Sequence, residues 1–519
     1  MGFSDLLDSI GGLGRFQFIN ITLLFFAGVL VGSHQVLQNF TAAVPEHHCK
    51  IPNMTIVYRR WNGAWSNLDN QTLLKAFIPH DQNNKPVSCL QFKEPQWHLI
   101  FSNSSLTNTT GLETETCRHG WTYKRQEFTE TIVSEWDLVC DMKHLRHTSQ
   151  TIYMIGVLVG AIILGSLSDK FGRRTLLIWS YLQLAVAGTS TAFSPSYSVY
   201  CFLRFLAGFA VCNHFTHCTV YITFFTACFT LSQIVLAGTA FAIQDWRKLQ
   251  IAQSVPIFVA FIYSWWFPES ARWLALNKKP DQAIQIIKKV SRINGRAKEG
   301  EAITAEVLLM HMQKEIQVSK KAYTVYDLFA TPLRRIFVCH PLPRCATSFS
   351  YFGLIMDLQK FTLSVYLVQL IFALIEIPCK TVSSLMMMFL GRRFTQKSVL
   401  MVPGCLVLVN TFLPNVIAKG LFASCFKCVY MYTSELYPTI IRQTGIGFAS
   451  TLASVGSMTA PLVMMLEDYF SSLPGLTYGL FPIIAGCFVF FLPETLNVPL
   501  PDTIDDVEQP KPEKTAGKK

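Results

Sequence analysis

Charge is scarce in this chain of 519 residues, with 15% charged residues where a soluble domain carries about 25%. That shortage speaks against a soluble globular protein, as does a hydrophobic share of 50%. A phosphate-cradling G-x-x-x-x-G-K-[ST] run is missing, which removes ATP hydrolysis of the P-loop kind. No catalytic constellation stands out, so no enzyme, cofactor or metal is expected. The first residues, Met1 to Gly14, lack the basic start and cleavage site of a secretory leader. Gly2 is followed by Leu6 where myristoylation wants Ser or Thr. The first apolar block is therefore expected to serve as an uncleaved insertion signal. The net charge of +11 would suit nucleic acid, but the basic residues flank apolar blocks. Basic flanks orient membrane spans by remaining cytoplasmic, so the expected surroundings are a lipid bilayer and not a nucleic acid.

What the chain has in quantity is apolar blocks about 20 residues long, the length a helix needs to cross about 30 Å of hydrocarbon. Only helices and closed barrels satisfy their backbone in lipid, and continuous blocks mean helices. Six blocks are predicted over 16–37, 149–168, 175–193, 197–218, 219–243 and 250–267. Six more follow over 336–355, 364–390, 399–413, 416–432, 445–465 and 478–492. These define a cytoplasmic N-terminus (1–15), a six-helix half (16–267), a helical cytoplasmic loop (268–335), a second six-helix half (336–492) and a charged, Pro-rich cytoplasmic tail (493–519). The polar stretch 44–147 interrupts the first half. It holds sequons at Asn53, Asn70, Asn103 and Asn108, with Asn39 at the membrane edge, and reads as a glycosylated extracellular loop. Its four cysteines, Cys49, Cys89, Cys117 and Cys140, predict two disulfides with three pairings open.

Three segments repeat or stand out. Gly165-Ser166-Leu167-Ser168-Asp169-Lys170-Phe171-Gly172-Arg173-Arg174 joins spans two and three. Gly165 and Gly172 permit a tight turn, and Asp169, Arg173 and Arg174 suit a charge network between helix ends. An echo, Leu390-Gly391-Arg392-Arg393, sits at the matching place in the second half. Pro268-Glu269-Ser270-Ala271-Arg272 after span six is matched by Pro493-Glu494-Thr495 after span twelve. Between spans ten and eleven, Glu435 and Arg442 are placed to pair across a loop.

The Gly165–Arg174 run resembles the signature of the major facilitator superfamily, and the repeat is what that fold of two six-helix halves around a central cavity predicts. With Gly11–Gln17, His47-His48-Cys49 and Ser134–Cys140, the chain resembles the organic ion transporters of solute carrier family 22. Asp357–Phe361 and Pro499–Ile504 point to the organic anion branch. The resemblance implies a secondary transporter in the cell membrane. It would move small organic anions by alternating access, in exchange for a counter-anion such as a dicarboxylate. Lys380 matches a cavity lysine, while Tyr351, Phe352, Phe426, Tyr430 and His34 match cavity positions. A charge within a span is a functional candidate in its own right, and Glu376, one turn from Lys380, is its nearby partner.

The chain also departs from that pattern. The anion branch carries an arginine in span eleven where Ser454 stands here, and Lys427 in span ten is the candidate replacement for its charge. No Asp, Glu, Lys or Arg occurs between Arg204 and Asp245, so the first half lacks a counterpart of the Glu435–Arg442 loop. That run is just long enough for two crossings. Span seven opens on His340-Pro341-Leu342-Pro343-Arg344, an expensive sequence for a membrane helix. The alternatives are a cation or zwitterion carrier, which would need an acid deep in a span, and a membrane protein that binds without transporting.

Overall fold

The computed structural model describes residues 11–12, 14–51, 70–81, 85–97, 99, 112–218, 222–310, 336, 339–356, 361, 363–409, 412–438 and 442–498. The chain divides into two compact units, one of 1–39, 147–242 and 247–519, the other of 40–146 and 243–246.

The larger unit is helical. Its first half is built from α1 (Arg15–Val36), α2 (Lys143–Phe171), α3 (Arg173–Thr191), α4 (Tyr197–Cys218), α5 (Ile222–Ala242), and the pair α6 (Trp246–Ser254) and α7 (Pro256–Ser264). Three short helices follow: α8 (Ala271–Leu276), α9 (Pro280–Ile293) and α10 (Ala297–Glu301). The second half is α11 (Pro341–Met356), α12 (Val365–Phe389), α13 (Arg392–Val409), α14 (Phe412–Leu436), α15 (Arg442–Met465) and α16 (Leu473–Val489). The run without charge makes two separate helices, α4 and α5, as two crossings require.

Several boundaries differ from the sequence reading. Span nine runs to Val409 and span ten begins at Phe412, so Pro414 lies inside the first turn of α14, where a missing N–H costs nothing. Span six is broken at Pro256, and span twelve begins at Leu473 instead of Tyr478. Gly165 makes no turn. It lies within α2, and the chain reverses at Gly172 alone, with φ +92°. The prolines of span seven are placed without strain, because Pro341 and Pro343 occupy the first turn of α11, whose N–H groups have no intrahelical acceptor.

Among the described residues, four stretches are long and apolar enough to cross a membrane by length and composition: Arg15–Thr41, Cys140–Ser168, Val365–Phe389 and Gly445–Met465. Large apolar side chains face outward on many helices, such as Trp266 at 82% and Phe389 at 79% exposure. Water would penalise such a surface, and hydrocarbon does not. The halves meet where α5 packs against α12 and α14. Within the first half α1 lies on α5 and α3 on α4, and within the second α11 lies on α15 and α13 on α16. The amphipathic α9 buries Ala283, Ile287 and Val290 in a small cluster with Leu274, Ile303 and Leu308. Asn294, just beyond α9, donates to the Gly11 carbonyl (3.1 Å) and accepts from the Phe16 N–H (2.9 Å), which fastens the entry of α1.

The smaller unit holds two antiparallel ribbons, β1 (His47–Cys49) with β4 (Trp121–Tyr123), and β2 (Leu90–Phe92) with β3 (Thr114–Thr116). Disulfides join Cys49 to Cys117 and Cys89 to Cys140, choosing one of the three pairings. The segment 243–246 belongs here too: the Trp246 indole donates to the Glu135 carboxylate (2.8 Å) and its ring meets Trp136 edge-on. In this unit Asn53, Asn103 and Asn108 lie outside the described residues, as does the side chain of Asn70.

Candidate transport site

The interior is organised around Glu376 of α12, which is fully buried. A carboxylate out of water must be paired and hydrogen-bonded, and this one is saturated. One turn along the helix, Lys380 Nζ lies 2.8 Å from Oε2. Lys419 Nζ, from α14, lies 3.0 Å from Oε1 and is itself fully buried. The α5 helix adds two neutral donors: Thr230 Oγ1 at 2.8 Å from Oε2 and Gln233 Nε2 at 3.0 Å from Oε1. The Tyr351 hydroxyl of α11 donates to Oε1 at 2.9 Å. Gln233 is tied in turn to Lys419 (2.7 Å) and to Gln369 Nε2 (3.0 Å) through its Oε1. Lys380 also donates to the Thr230 hydroxyl and to the Thr226 carbonyl. One carboxylate thus faces two ammonium groups, and every other neighbour is neutral.

The aromatic residues singled out in the sequence gather beside this network. Tyr351 meets Phe426 and Phe352 edge-on, with centroids 5.3 and 5.5 Å apart. Tyr430, one turn from Phe426 on α14, lies under the Arg344 guanidinium, 3.9 Å from Cζ to the ring centroid. Lys427 turns from its neighbour Phe426 toward α12, where Nζ donates to Ser384 Oγ at 2.8 Å. Ser384 is the next turn after Lys380, so two lysines share that stretch of α12. Ser454 carries no charge into the interior, and its hydroxyl is spent on the Ser450 carbonyl (3.2 Å).

His34 is not brought to this cluster. It is wholly buried in the first half, against the Gly188 backbone of α3, and neither ring nitrogen has a partner. Asn39 does not present a glycosylation amide: its Nδ2 donates to the Ile355 carbonyl (2.9 Å) and to Gln369 Oε1 (3.4 Å). The nitrogen a glycan would occupy is engaged within the helical unit, so the expectation of a glycan there is withdrawn.

The motif residues form two matching caps. In the first half Gly172 turns with φ +92°, and Glu269 accepts from the N–H groups of Arg173 (3.0 Å) and Arg174 (3.2 Å), the first residues of α3. The Arg174 guanidinium reaches the Trp265 carbonyl (2.6 Å). In the second half Gly391 turns with φ +93°, and Glu494 accepts from Arg392 (2.8 Å) and Arg393 (3.0 Å), the first residues of α13. Arg393 reaches the Phe490 carbonyl. Each glutamate satisfies orphan N–H donors at the positive end of a helix. Glu435 is held by Arg392, Nε to Oε2 3.2 Å, and by the Thr495 hydroxyl. It is therefore held to the turn before α13, and its expected pairing with Arg442 falls on a side chain outside the described residues. Arg272 is exposed at the start of α8. The side chains of Asp169 and Arg442 lie outside the described residues.

Sequence reasoning passed over Lys419, Thr230 and Gln233. A signal existed for Lys419, since a lysine within an apolar block has the same standing as Lys380. None existed for Thr230 and Gln233, whose role comes from the packing of α5 on α12.

Comparison with known proteins shows the family and the fold. The sugar (and other) transporter family matches residues 103–223 and 216–504. Solute carrier family 22 member 6-A of Xenopus laevis is 45% identical, covering 98% of this chain and 94% of its own. Member 6 of Rattus norvegicus is 42% identical over the same shares, and member 20 of Mus musculus is 44% identical over 98% and 94%. Among solved structures, the inward open xylose transporter XylE from E. coli superposes with a TM-score of 0.58 at 14% identity, covering 95% of this chain and 99% of that one. A double Trp mutant of XylE gives a TM-score of 0.59 at 13% identity. At such low identity the likeness carries the fold: two six-helix halves around a central interior.

Proposed function

The chain belongs to the sugar (and other) transporter family and, within it, to solute carrier family 22, and from that premise we propose that it carries small organic anions by alternating access in exchange for dicarboxylates. The chain is a multi-pass membrane transporter. In this reading it sits in the plasma membrane, with both termini cytoplasmic and the 44–147 segment outside and glycosylated. The observation that carries the anion reading is the imbalance of interior charge. Among the described residues Glu376 is the one fully buried carboxylate, and Lys380 and Lys419 both bear on it. Lys427 of α14 adds a further ammonium against the same stretch of α12. A low-dielectric interior with surplus positive charge favours an anion as cargo. Lys380 would attract the carboxylate, and Tyr351, Phe352, Phe426 and Tyr430 would contact the organic body.

A cation carrier would need a carboxylate free to meet its cargo. Glu376 is instead taken by two ammonium groups and three neutral donors. The test is uptake of labelled benzoate and labelled tetraethylammonium into cells expressing the protein, with and without preloaded glutarate. Benzoate uptake accelerated by internal glutarate is the expected outcome. Entry of tetraethylammonium without benzoate uptake would overturn the reading.

A further inference from the structure

Arg344 is a fully buried charge of the second half whose terminal nitrogens find no partner among the described residues. It stands in the first turn of α11 and is 1% exposed. Both terminal guanidinium nitrogens lack a hydrogen-bond partner. Among the described residues it takes part in no ion pair. Its contact is with the face of Tyr430, which holds the plane of the guanidinium without satisfying its N–H groups. His340, just before α11, is occupied through Nε2 with Thr433 and packs against Tyr437 and Tyr432. No carboxylate is among these contacts.

Arg204 of α4 shows what a structural arginine in this bundle looks like. It is equally buried and also stacks on a tyrosine, with Cζ 4.4 Å from the Tyr153 centroid. Its Nη2, however, donates to Gln38 Oε1 (3.1 Å) and Gln150 Oε1 (3.2 Å). Arg344 has the stacking and lacks the acceptors. An arginine cannot shed its proton to escape burial, and an unanswered buried charge is costly. The missing partner is an acceptor carrying negative charge, and a planar fork with two free ends suits a carboxylate or a small inorganic anion.

Its position fits that role. Arg344 and Tyr351 are seven residues apart on one face of α11, about 10 Å along the helix. Tyr430 and Phe426, one turn apart on α14, connect the same two points. Cys345 lies beside Arg344, and its carbonyl is pressed against Gly456, two residues beyond Ser454. A cationic pole therefore stands at the level where α15 offers only a serine. We propose that Arg344 is an anion-binding residue, its two terminal nitrogens holding either the cargo carboxylate or chloride. Cargo binding there rests on the anion-carrier reading above.

The experiment compares the full-length protein with Arg344→Gln and Arg344→Lys. Thermal unfolding of purified protein is followed in gluconate buffer with benzoate or chloride added, and benzoate uptake is measured in parallel. Either anion should raise the melting temperature of the unaltered protein, and Arg344→Gln should not respond. If cargo is the bound anion, KM for benzoate rises about tenfold in Arg344→Gln, the loss expected for a charged hydrogen bond. If chloride is bound, the chloride response disappears while KM for benzoate stands. A folded Arg344→Gln protein responding to both anions like the unaltered one overturns the proposal. Arg344→Lys keeps the charge and loses the fork, and it decides the matter where the Gln variant does not fold: an unreduced response there also overturns it. An unaltered protein that binds anions in the thermal assay yet transports none would instead overturn the carrier reading and leave this site standing.

Discussion

At the scale of single residues, Glu376 and its two lysines are unequal partners. Removing Lys419 leaves Glu376 paired with Lys380, and removing Lys380 leaves it paired with Lys419. Removing the carboxylate leaves two ammonium groups in the interior with no counter-charge. Stripping one side of a buried ion pair costs about 3–5 kcal/mol. Glu376→Gln is therefore expected to unfold at a much lower temperature than Lys419→Met in scans of purified protein. Equal melting temperatures would mean that the interior is wet enough to screen both lysines. The spacing of Glu376 and Lys380 was legible in the sequence because positions four apart share a helix face. The second lysine was not, because its partner lies on another helix. His34 is likewise a polar residue in a span, and it is fully buried in the first half and apart from the Glu376 network.

At the scale of elements, the clearest reading was the repeat. The two Gly-Arg-Arg turns and the two Pro-Glu segments looked like matched punctuation, and each pair forms one device: a glycine with positive φ whose next helix is capped by a distant glutamate. Sequence could place these segments at helix ends. It could not say that Glu269 and Glu494 reach across to cap α3 and α13, since that depends on how the halves fold back. The turn gives a prediction with an internal control. A Cβ on Gly391 meets a φ of +93° and the Glu494 carboxylate, whereas a Cβ on Gly475, inside α16, meets nothing within 4 Å. Gly391→Ala should lower the melting temperature, losing at least the roughly 1–2 kcal/mol of a left-handed alanine. Gly475→Ala should hold steady or gain up to about 1 kcal/mol of helix propensity. Similar losses in both would show that the turn tolerates a side chain.

At the scale of the molecule, the apolar blocks marked out a helical membrane protein in two halves with one large polar insertion, and the chain clusters into one unit that holds the helices of both halves and one that is disulfide-bonded. What composition could not show is how the halves are held together. The contact between them runs through α5 and combines aromatic pairs, Phe229 with Tyr351 and Phe241 with Tyr366, with a polar set: Thr230 and Gln233 from the first half grip Glu376, Lys380, Gln369 and Lys419 from the second. Asn39, at the end of α1, adds bonds to Ile355 and Gln369. Alternating access requires the halves to part on one side and then the other, so bonds of this kind must break in each cycle. Hydrogen bonds to charged groups are worth about 1.5–3 kcal/mol net, so losing even one shifts a two-state balance about tenfold or more. Spin labels at Ser196, between α3 and α4, and at Leu363, between α11 and α12, lie at the end of the bundle opposite the Gly172 and Gly391 turns. In Thr230→Val/Gln233→Leu the distance distribution between them should gain a longer component relative to the unaltered protein. A distribution that does not change would mean that this polar contact travels intact through the transport cycle, and that the halves separate elsewhere.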